Sequence, residues 1–416
     1  MRFPRAFTRI IFGLTFIFSG FMKLIDPVGT MLIVQENLAA MHLGFFSPLS
    51  MAGGAGLATV ELVLGVSILS GFRMKVMSWV GLALMTVFTI KGIWLVIANP
   101  ISDCGCFGQF IHLTNWQSLI KNFILLACII FIVFQRDRYE QIAAPWAEWV
   151  FVGAFACVGL FIAISSIVAG PRADFTPFKS GANLAEAQAP KYLTTFIYEK
   201  DGTQKEFAID NLPDSTWTYV EAKTKQIAEE GSNSAAGFAI YDSSEADVTG
   251  EVMSGKQLLV SYYNAKDFHP DRLPSHVTKL ASVSDSLGAP LNVLLALPAE
   301  SVPADTMGIR YFSADRKTLL TLNRSNGGVT YLYDGEVIRK WSPAFPPTGK
   351  RAVDKILNDD PEEIQAKESI FSNIYSQAGL FLIILAAVLV REFARKASEN
   401  NKKRRVAAAS PAEESH

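Results

Sequence analysis

Cysteine and histidine are scarce in this sequence, which has four cysteines and five histidines among 416 residues. Cys104 and Cys106 are one residue apart, Cys128 and Cys157 stand in apolar segments, and no cysteine follows Cys157. This pattern excludes a small secreted scaffold held together by disulfides. The formal net charge is -1. The chain therefore lacks the basic balance typical of nucleic-acid-binding proteins, and nucleic acid is not an expected partner.

Apolar residues make up half of the chain but crowd into its first 170 residues and one stretch near the end. A transmembrane helix needs about 20 predominantly apolar residues. Six segments meet this requirement, at about Phe7–Leu24, Leu49–Ser70, Val76–Ala98, Gln117–Phe134, Glu148–Ala169 and Ile374–Val390. The sequence thus predicts an integral membrane protein with six spans, whose first partner is the lipid bilayer.

Basic residues predict the orientation of these spans, because Lys and Arg concentrate in cytoplasmic loops. They cluster before the first span, in the loop after the second, after the fourth and after the last. These clusters are Arg2, Arg5 and Arg9; Arg73 and Lys75; Arg136 and Arg138; and Arg391, Arg395, Lys396, Lys402, Lys403, Arg404 and Arg405. Six spans with both termini in the cytoplasm satisfy all four clusters. Residues at about 25–48, 99–116 and 170–373 then lie on the other side, so the Cys104/Cys106 pair shares a compartment with the polar middle of the chain, one where disulfides persist.

These boundaries predict a multi-domain protein. It comprises a four-helix membrane domain, a fifth span, a β-rich region, an α/β domain, a sixth span and a tail, at residues 1–140, 141–170, 171–234, 235–368, 369–392 and 393–416. The tail has no apolar periodicity and is predicted to be disordered, with a basic cluster that attracts anionic lipid.

The most specific local motif is Asp103-Cys104-Gly105-Cys106-Phe107-Gly108. It follows Asn99-Pro100, which ends the third span, and precedes Asn115-Trp116, which opens the fourth. Two cysteines one residue apart form a small, strained disulfide ring, and strained, exposed disulfides are the labile ones. Asp103 argues against a strongly activated thiolate beside it. The motif therefore favours redox exchange at Cys104 and Cys106, without assigning which cysteine attacks.

Two other uses of the pair stay open: a static disulfide or dithiol that shapes the loop, and a metal site. A metal would need further ligands, for which His112 and His42 are the candidates. Cys128 and Cys157, inside apolar spans, are predicted to be small buried hydrophobic residues.

Charged residues inside spans are costly and are usually paired or functional. Glu61 lies near the middle of the second span and Lys91 in the outer half of the third. Adjacent antiparallel helices bring such residues together, which predicts a structural Glu61–Lys91 ion pair. The next alternative is that the Lys91 side chain extends outward to the membrane interface. The functional alternative is that both residues line a pocket for a small molecule or a quinone.

The polar middle of the chain has short β-like runs and polar helices. Strand signals stand at Tyr192–Tyr198, Gln204–Ile209, Gly237–Tyr241, Gln257–Tyr263, Leu291–Leu297, Val329–Tyr333 and Glu336–Trp341, with a helix at His276–Leu287. Asp201-Gly202 and Asp334-Gly335 are hairpin turn signals. A helix and then a strand are expected between Leu297 and the last hairpin. Alternation of strands and helices predicts an α/β sheet.

The N-terminal third resembles the DoxX/MauE family of four-helix membrane proteins. The resemblance covers about residues 5–140 and is carried by Phe12–Leu24 with Asp26-Pro27, by Glu61–Gly65, by the CGCFG element, and by Trp116 with Lys121-Asn122. It implies a bacterial inner-membrane protein in a redox setting. Members similar to MauE are linked to disulfide formation in exported proteins beside a thioredoxin-like partner, and other members to membrane oxidoreductases that use quinone or thiols.

The second half, at about residues 235–357, resembles the thioredoxin-like fold of the periplasmic TlpA-like type. Leu258–Tyr263 stands where a strand leads into the active loop, and Thr330–Ile338 resembles the closing hairpin. The family's Cys-x-x-Cys is replaced by Asn264-Ala265-Lys266-Asp267, and its cis-proline by Ser325–Val329. A domain without thiols cannot exchange disulfides, so the resemblance implies a module for binding or positioning.

Together these patterns predict an all-α transmembrane bundle, with a four-helix DoxX/MauE-like core and two further spans, that carries an extracytoplasmic α/β thioredoxin-like domain. The leading function is a membrane thiol–disulfide oxidoreductase component that uses Cys104 and Cys106. Its expected partner is a periplasmic thiol protein, and a quinone near Glu61 and Lys91 is its expected electron carrier. The alternative is a non-catalytic scaffold that binds an envelope partner. A transporter is a third and weaker hypothesis, because the sequence shows no pair of interrupted helices.

Overall fold

The computed structural model describes residues 2–101, 104–139, 141–184, 192–200, 203–208, 217–226 and 238–409. The chain is mainly helical up to Ala169. The helices of this part are α1 (Arg2–Ile25), α2 (Pro27–Ala40), α3 (Ser50–Ser70), α4 (Met74–Ala98), α5 (Asn115–Phe134) and α6 (Pro145–Ala169). Short 3₁₀ turns stand at Gly44–Leu49 and Arg136–Arg138, and a short strand, β1 (Cys106–Gln109), lies in the loop between α4 and α5.

Close packing of α1 on α3 organises this bundle. A Cβ added to Gly20 would lie 2.5 Å from the Leu62 nitrogen, and one added to Gly65 would lie 2.5 Å from the Ile17 nitrogen. Small residues therefore let the two backbones approach, as is common between membrane helices. Helix α1 also packs against α5 and α6.

The α2 helix corrects the sequence-based expectation for the segment at about 25–48, where no helix was predicted. Asp26 caps the helix, because its side chain accepts a hydrogen bond from the Gly29 N–H, and Pro27 occupies the first helical position. Both are ordinary helix-start signals. With 14 residues, α2 is too short for a span, and it packs against α3.

The sheet domain contains a six-stranded mixed sheet in the order β10-β9-β6-β7-β8-β5. Its strands are β5 (Ile240–Tyr241), β6 (Lys256–Tyr262), β7 (Leu291–Leu295), β8 (Ile309–Ala314), β9 (Gly328–Tyr333) and β10 (Glu336–Trp341). Its helices are α7 (Thr249–Met253), α8 (Ser275–Leu287), α9 (Arg316–Leu322) and α10 (Lys350–Asn358), with 3₁₀ turns at Ala265–Asp267 and Ala299–Ser301. Strands β6, β7 and β8 are parallel, whereas β9 is antiparallel to both β6 and β10.

Both faces of this sheet are covered, as alternation along β6 shows. Leu258 and Val260 face a cluster that includes Val277 of α8, whereas Leu259 faces a second cluster that includes Leu319 of α9. The predicted tail of this domain had a helix followed by a strand before the hairpin. The structure instead places β8 first and α9 directly before β9, so the predicted order is wrong.

A separate three-stranded antiparallel sheet precedes the sheet domain, in the order β3-β2-β4. Its strands are β2 (Tyr192–Lys200), β3 (Thr203–Ala208) and β4 (Thr218–Gln226). Lys200 pairs with Thr203 across the hairpin. The predicted turn residues Asp201 and Gly202 lie outside the described part of the chain.

Helix α11 (Pro361–Ala409) returns from the sheet domain to the bundle, where it packs against α1 and α3. With α1 and α3–α6 it gives, within the described part of the chain, six helices that are long and apolar enough to cross a membrane, as predicted. The prediction of disorder from residue 393 is wrong up to Ala409. Helix-favouring residues continue past the apolar stretch, and Arg395 lies within ion-pair distance of Glu392 and Glu399 on the same helix. Residues 410–416 lie outside the described part.

Candidate functional site

The cysteine loop (residues 99–114) is closed by hydrogen bonds between the ends of α4 and α5. Asn115 Nδ2 donates to Asn99 Oδ1 at 3.0 Å and to the Ile101 carbonyl oxygen at 2.8 Å. Thr114 and Gln117 form a reciprocal capping box at the start of α5. The predicted boundaries at Asn99 and Asn115 are therefore where α4 ends and α5 begins, and the loop has a fixed base.

The two sulfurs of the pair lie close together but are not bonded. Cys104 Sγ is 3.1 Å from Cys106 Sγ, in hydrogen-bond contact, and both are free cysteines. A disulfide would bring the sulfurs to about 2.05 Å. Cys104 is buried and Cys106 is partly buried. The structure thus holds the pair as a dithiol, in a geometry close to that of the disulfide.

Gly105, between the cysteines, packs directly on α2. Its φ is +68°, and a Cβ at this position would lie 2.2 Å from Ile33 Cγ2. Any other residue would both strain the backbone and collide with α2. Glycine here lets the loop turn back under α2.

Glu61, Lys23 and Ser19 form a buried polar cluster beneath Cys106. Lys23 Nζ lies 2.7 Å and 2.8 Å from the two carboxylate oxygens of Glu61, which is 1% exposed. The Ser19 hydroxyl is 2.7 Å from Glu61 Oε2 and 2.7 Å from the Cys106 carbonyl oxygen. Its single proton is donated to one of these acceptors at a time. The cluster therefore ties the backbone of Cys106 to the ion pair in the bundle.

This arrangement corrects the predicted Glu61–Lys91 ion pair, because the cation that pairs with Glu61 is Lys23. Close α1–α3 packing sets this choice: Ser19 and Lys23 are four residues apart, on the face of α1 that meets α3. Lys91 is nevertheless near Glu61, since both line one cavity.

That cavity, of about 230 Å³, brings all four predicted site residues together. Cys104 and Cys106 form part of its wall with Glu61 and Lys91, and Lys23, Ser19, Lys121 and Asn122 add further polar groups. Apolar side chains from α1, α2, α3, α4 and α5 form much of the rest, among them Phe16, Ile33, Leu57, Phe88 and Leu125. The site is a largely apolar pocket with thiols and ammonium groups in its wall.

The two thiols differ in acidity. The hydrogen bond from Cys104, followed by the ammonium charges of Lys121 and Lys23, holds the pKa of the Cys106 thiol well below its ordinary value, although burial acts in the opposite direction. The hydrogen bond to Cys106 and burial raise the pKa of the Cys104 thiol. Both directions make Cys106 the more acidic thiol of the pair, while Cys104 holds its proton more firmly. The expected opposing effect of Asp103 concerns a residue outside the described part.

Lys23, Ser19 and Lys121 were not predicted as site residues. Lys23 and Lys121 stand in the segments that carry the family resemblance, but near span ends, where lysine commonly extends towards the interface. Lys121 Nζ lies 4.8 Å from the centroid of the Phe107 ring, next to Cys106. The adjacency of Phe107 to Cys106 was visible in the sequence, whereas the approach of Lys121 depends on how α5 packs.

The other candidate residues, His42, His112, Cys128 and Cys157, do not line this cavity. Among the described residues, no group of three or more His, Cys, Asp or Glu is placed to hold a metal ion. Cys128 is partly buried, as expected for a small apolar residue, but Cys157 is exposed on the surface of α6, so its predicted burial is wrong. A hydrophobic span has a lipid-facing side, and Cys157 lies on it.

In the sheet domain, hydrogen bonds join the two loops that the sequence analysis pointed out, at Asn264–Asp267 and at Ser325–Val329. Asn326 Oδ1 accepts from the Asn264 N–H at 2.9 Å, and Asn326 Nδ2 donates to Asp267 Oδ2 at 2.8 Å. Asn264 Nδ2 also donates to Asp267 Oδ2, at 2.8 Å. Amide and carboxylate groups thus tie the loop after β6 to the loop before β9.

Comparison with known proteins shows a family similarity for the helical bundle. Residues 1–135 match the family described as methylamine utilisation protein MauE, and residues 192–229 match a domain of unknown function, DUF8463. Protein TlpB of Flavobacterium psychrophilum is 27% identical over 133 residues, which is 31% of this chain and 36% of that protein. The match thus spans about a third of the length of that curated relative. No solved structure matches the chain. The N-terminal third of the chain is therefore similar to the MauE family, within a protein that has six candidate membrane spans and a C-terminal mixed-sheet domain.

Proposed function

We propose that this protein is a DoxX/MauE-type component of thiol–disulfide redox chemistry, in which Cys104 and Cys106 cycle between dithiol and disulfide. The observation that carries the proposal is the common cavity: both thiols line it with Lys23, Lys121 and the buried Glu61. A merely structural pair of thiols does not need a neighbouring thiolate-stabilising charge, whereas an exchanging pair does.

The acidity of Cys106 assigns the roles within the pair. In the oxidised protein, a partner thiolate attacks the Cys104 sulfur, and the Cys104–Cys106 bond breaks with Cys106 as leaving thiolate. A thiol of low pKa leaves faster. The second thiolate of the partner then attacks the partner's sulfur atom in the mixed disulfide. This attack releases Cys104, which takes up a proton. The partner gains a disulfide, and the pair is left reduced by two electrons.

Reoxidation of the pair removes two electrons and the single proton on Cys104. A quinone held in the cavity would supply this oxidation, and it would take its second proton from water to become a quinol. The cavity fits such a group: Phe16, Phe88 and Leu125 offer an apolar wall, and the ammonium groups of Lys91 and Lys121 suit carbonyl oxygens that gain negative charge. Glu61 acts through Lys23, whose charge it balances and whose position it fixes.

The same proposal places the protein in a bacterial inner membrane, with both termini in the cytoplasm and residues at about 170–373 in the periplasm. In support, the cysteine loop and the sheet domain lie at one end of the bundle, since Arg324 contacts Gln109. The basic loops lie at the other end: Arg9 Nε donates to the Ile68 carbonyl oxygen, and Lys75 lies 3.3 Å from Asp137. A membrane-impermeant maleimide should label Ser244→Cys in intact cells, whereas Asn400→Cys should need permeabilised cells. Reversal of this result would overturn the orientation.

A redox titration tests the proposed chemistry. In native membranes, Cys104 and Cys106 should form a reversible disulfide with a potential within about -180 to -270 mV in glutathione buffers. With a reduced dithiol peptide and a water-soluble quinone, the purified protein should produce quinol and peptide disulfide in equal amounts. Cys104→Ser and Cys106→Ser should each abolish turnover, and Cys157→Ser should not. A pair that never oxidises, or turnover that survives Cys106→Ser, would refute the proposal.

A second candidate function, a scaffold that positions an envelope partner, is favoured by the Asn264–Asp267–Asn326 cluster. We infer that the sheet domain is a thioredoxin-like module without thiols. In support, β6, α8 and β7 form a parallel crossover, and the antiparallel β9–β10 hairpin lies on the other side of β6. A partner held in this way should still co-purify with the Cys104→Ser/Cys106→Ser double variant. Loss of every partner in that variant would count against a scaffold.

A further inference from the structure

One buried arginine connects the sheet domain to the cysteine loop. Arg324 follows α9, and its side chain is 2% exposed. Its Nη2 lies 3.2 Å from Asp26 Oδ2 and also donates to Gln109 Oε1, while Nη1 donates to the Leu320 carbonyl oxygen at 3.3 Å. Leu320 belongs to α9 and the other two acceptors to the membrane part. The guanidinium therefore bridges the two parts of the protein.

The two membrane-side partners flank the cysteine pair. Gln109 is the last residue of β1, which begins at Cys106. Asp26 caps α2: its Oδ1 accepts from the Gly29 N–H at 2.8 Å. Helix α2 in turn presses Ile33 against the backbone between the cysteines. Arg324 thus holds one flank of the cysteine loop directly and the other through α2.

We propose that Arg324 is a positioning residue for the Cys104–Cys106 pair. This inference rests on the proposed function. The contacts of Arg324 keep Cys106 beside Lys23 and Lys121, whose charges stabilise its thiolate. A planar guanidinium bridges two acceptors in a fixed geometry, which the compact ammonium group of lysine does not reproduce. Burial strengthens the requirement, because Asp26 is 5% exposed and would be left as an unpaired buried charge without Arg324.

The space around Gly29 shows how tightly Asp26 and Arg324 pack at the start of α2. A Cβ at this position would lie 2.2 Å from Asp26 Oδ2 and 3.1 Å from Arg324 Nη2. Within a helix, alanine is ordinarily favoured over glycine. Gly29→Ala therefore disturbs the contact from the membrane side while favouring α2 itself.

The test uses full-length protein in native membranes, with Cys128 and Cys157 replaced by serine. Two quantities are measured: the equilibrium constant of the pair with glutathione, and the pH profile of maleimide labelling of Cys106. Arg324→Lys and Gly29→Ala should each slow labelling at neutral pH several-fold. They should also favour the disulfide about tenfold, which is a potential about 30 mV lower, because the thiolate of the reduced form loses stabilisation.

Lys317→Ala is the matched control. Lys317 also links the sheet domain to α2, through Glu36, but these side chains are 72% and 49% exposed, so this contact contributes little. The control should keep both quantities within twofold of the wild type. Gln109→Ala removes one arm of the bridge without leaving a buried charge, and should shift both quantities in the same direction.

The outcomes separate this inference from the proposed function. If the wild-type pair does not exchange with glutathione, the proposed function fails, and the labelling profile alone still tests Arg324. If Arg324→Lys leaves both quantities unchanged, the inference is wrong. It is also wrong if Arg324→Lys shifts them while Gln109→Ala and Gly29→Ala do not, because general destabilisation would then explain the effect.

Discussion

Lys23 Nζ contacts both carboxylate oxygens of Glu61, at 2.7 Å and 2.8 Å, between two closely packed helices. Removal of one member of a buried pair leaves an uncompensated charge, which costs about 3–5 kcal/mol. We expect Glu61→Gln to lower the stability of the detergent-solubilised protein by that amount. The Lys23→Met/Glu61→Gln double variant should recover most of the loss, as measured by thermal unfolding. A double variant as unstable as the single one would show that the pair is not the source of the effect.

Lys121 should control the acidity of Cys106. The pKa of Cys106 is lowered, so its thiolate persists at pH values below the ordinary thiol pKa of about 8.5 and is lost as the pH falls through the lowered value. We expect Lys121→Met to move the pH midpoint of Cys106 labelling upwards, and a midpoint one pH unit higher slows labelling on its acid side about tenfold. Stopped-flow labelling with a fluorescent maleimide measures this. Lys75→Met, whose lysine is exposed in the first turn of α4, should leave the midpoint unchanged, and an equal shift there would contradict the assignment.

The spans were predictable because each is a long apolar run, and the boundaries at Asn99 and Asn115 because capping residues stand there. Helix α2 was missed although Asp26 and Pro27 are ordinary helix-start signals. Its residues Pro27–Ala40 are apolar but too few for a span, and their segment was interpreted only by its length and position. A capping signal can reveal such a helix where hydropathy does not.

Part of the site was predictable and part was not. The spacing of Cys104 and Cys106 and the presence of Glu61 and Lys91 in spans pointed to four residues that line one cavity. The partner of Glu61 was not predictable, because it depends on which helix packs most closely against α3. The contact of Arg324 with Asp26 could not be predicted, because 298 residues separate the two and no sequence pattern marks a contact between domains so far apart.

Asn326 should stabilise the sheet domain by holding the loop that follows β6. Its side chain makes three hydrogen bonds, to the Asn264 N–H at 2.9 Å, to Asp267 Oδ2 at 2.8 Å and to the Asn264 carbonyl oxygen at 3.2 Å. We expect Asn326→Ala to cost about 1–3 kcal/mol. It should also raise amide hydrogen exchange in residues 264–267 of the full-length protein. Asn358→Ala, at the exposed end of α10, should change neither quantity, and unaltered exchange in Asn326→Ala would refute the role.

Gly105 should be indispensable for two separable reasons, and a double variant distinguishes them. A side chain at φ +68° costs about 1–2 kcal/mol, and a Cβ there would overlap Ile33 Cγ2 at 2.2 Å. Gly105→Ala should therefore lower the thermal stability and displace the cysteine loop, with altered labelling of Cys106. Gly105→Ala/Ile33→Ala removes the overlap but keeps the backbone strain, so it should recover only part of the labelling rate. Gly53→Ala is the control, because a Cβ at Gly53 meets nothing within 4 Å and alanine favours the helix. Full recovery in the double variant would mean that the contact with α2, rather than the backbone turn, sets the position of the thiols.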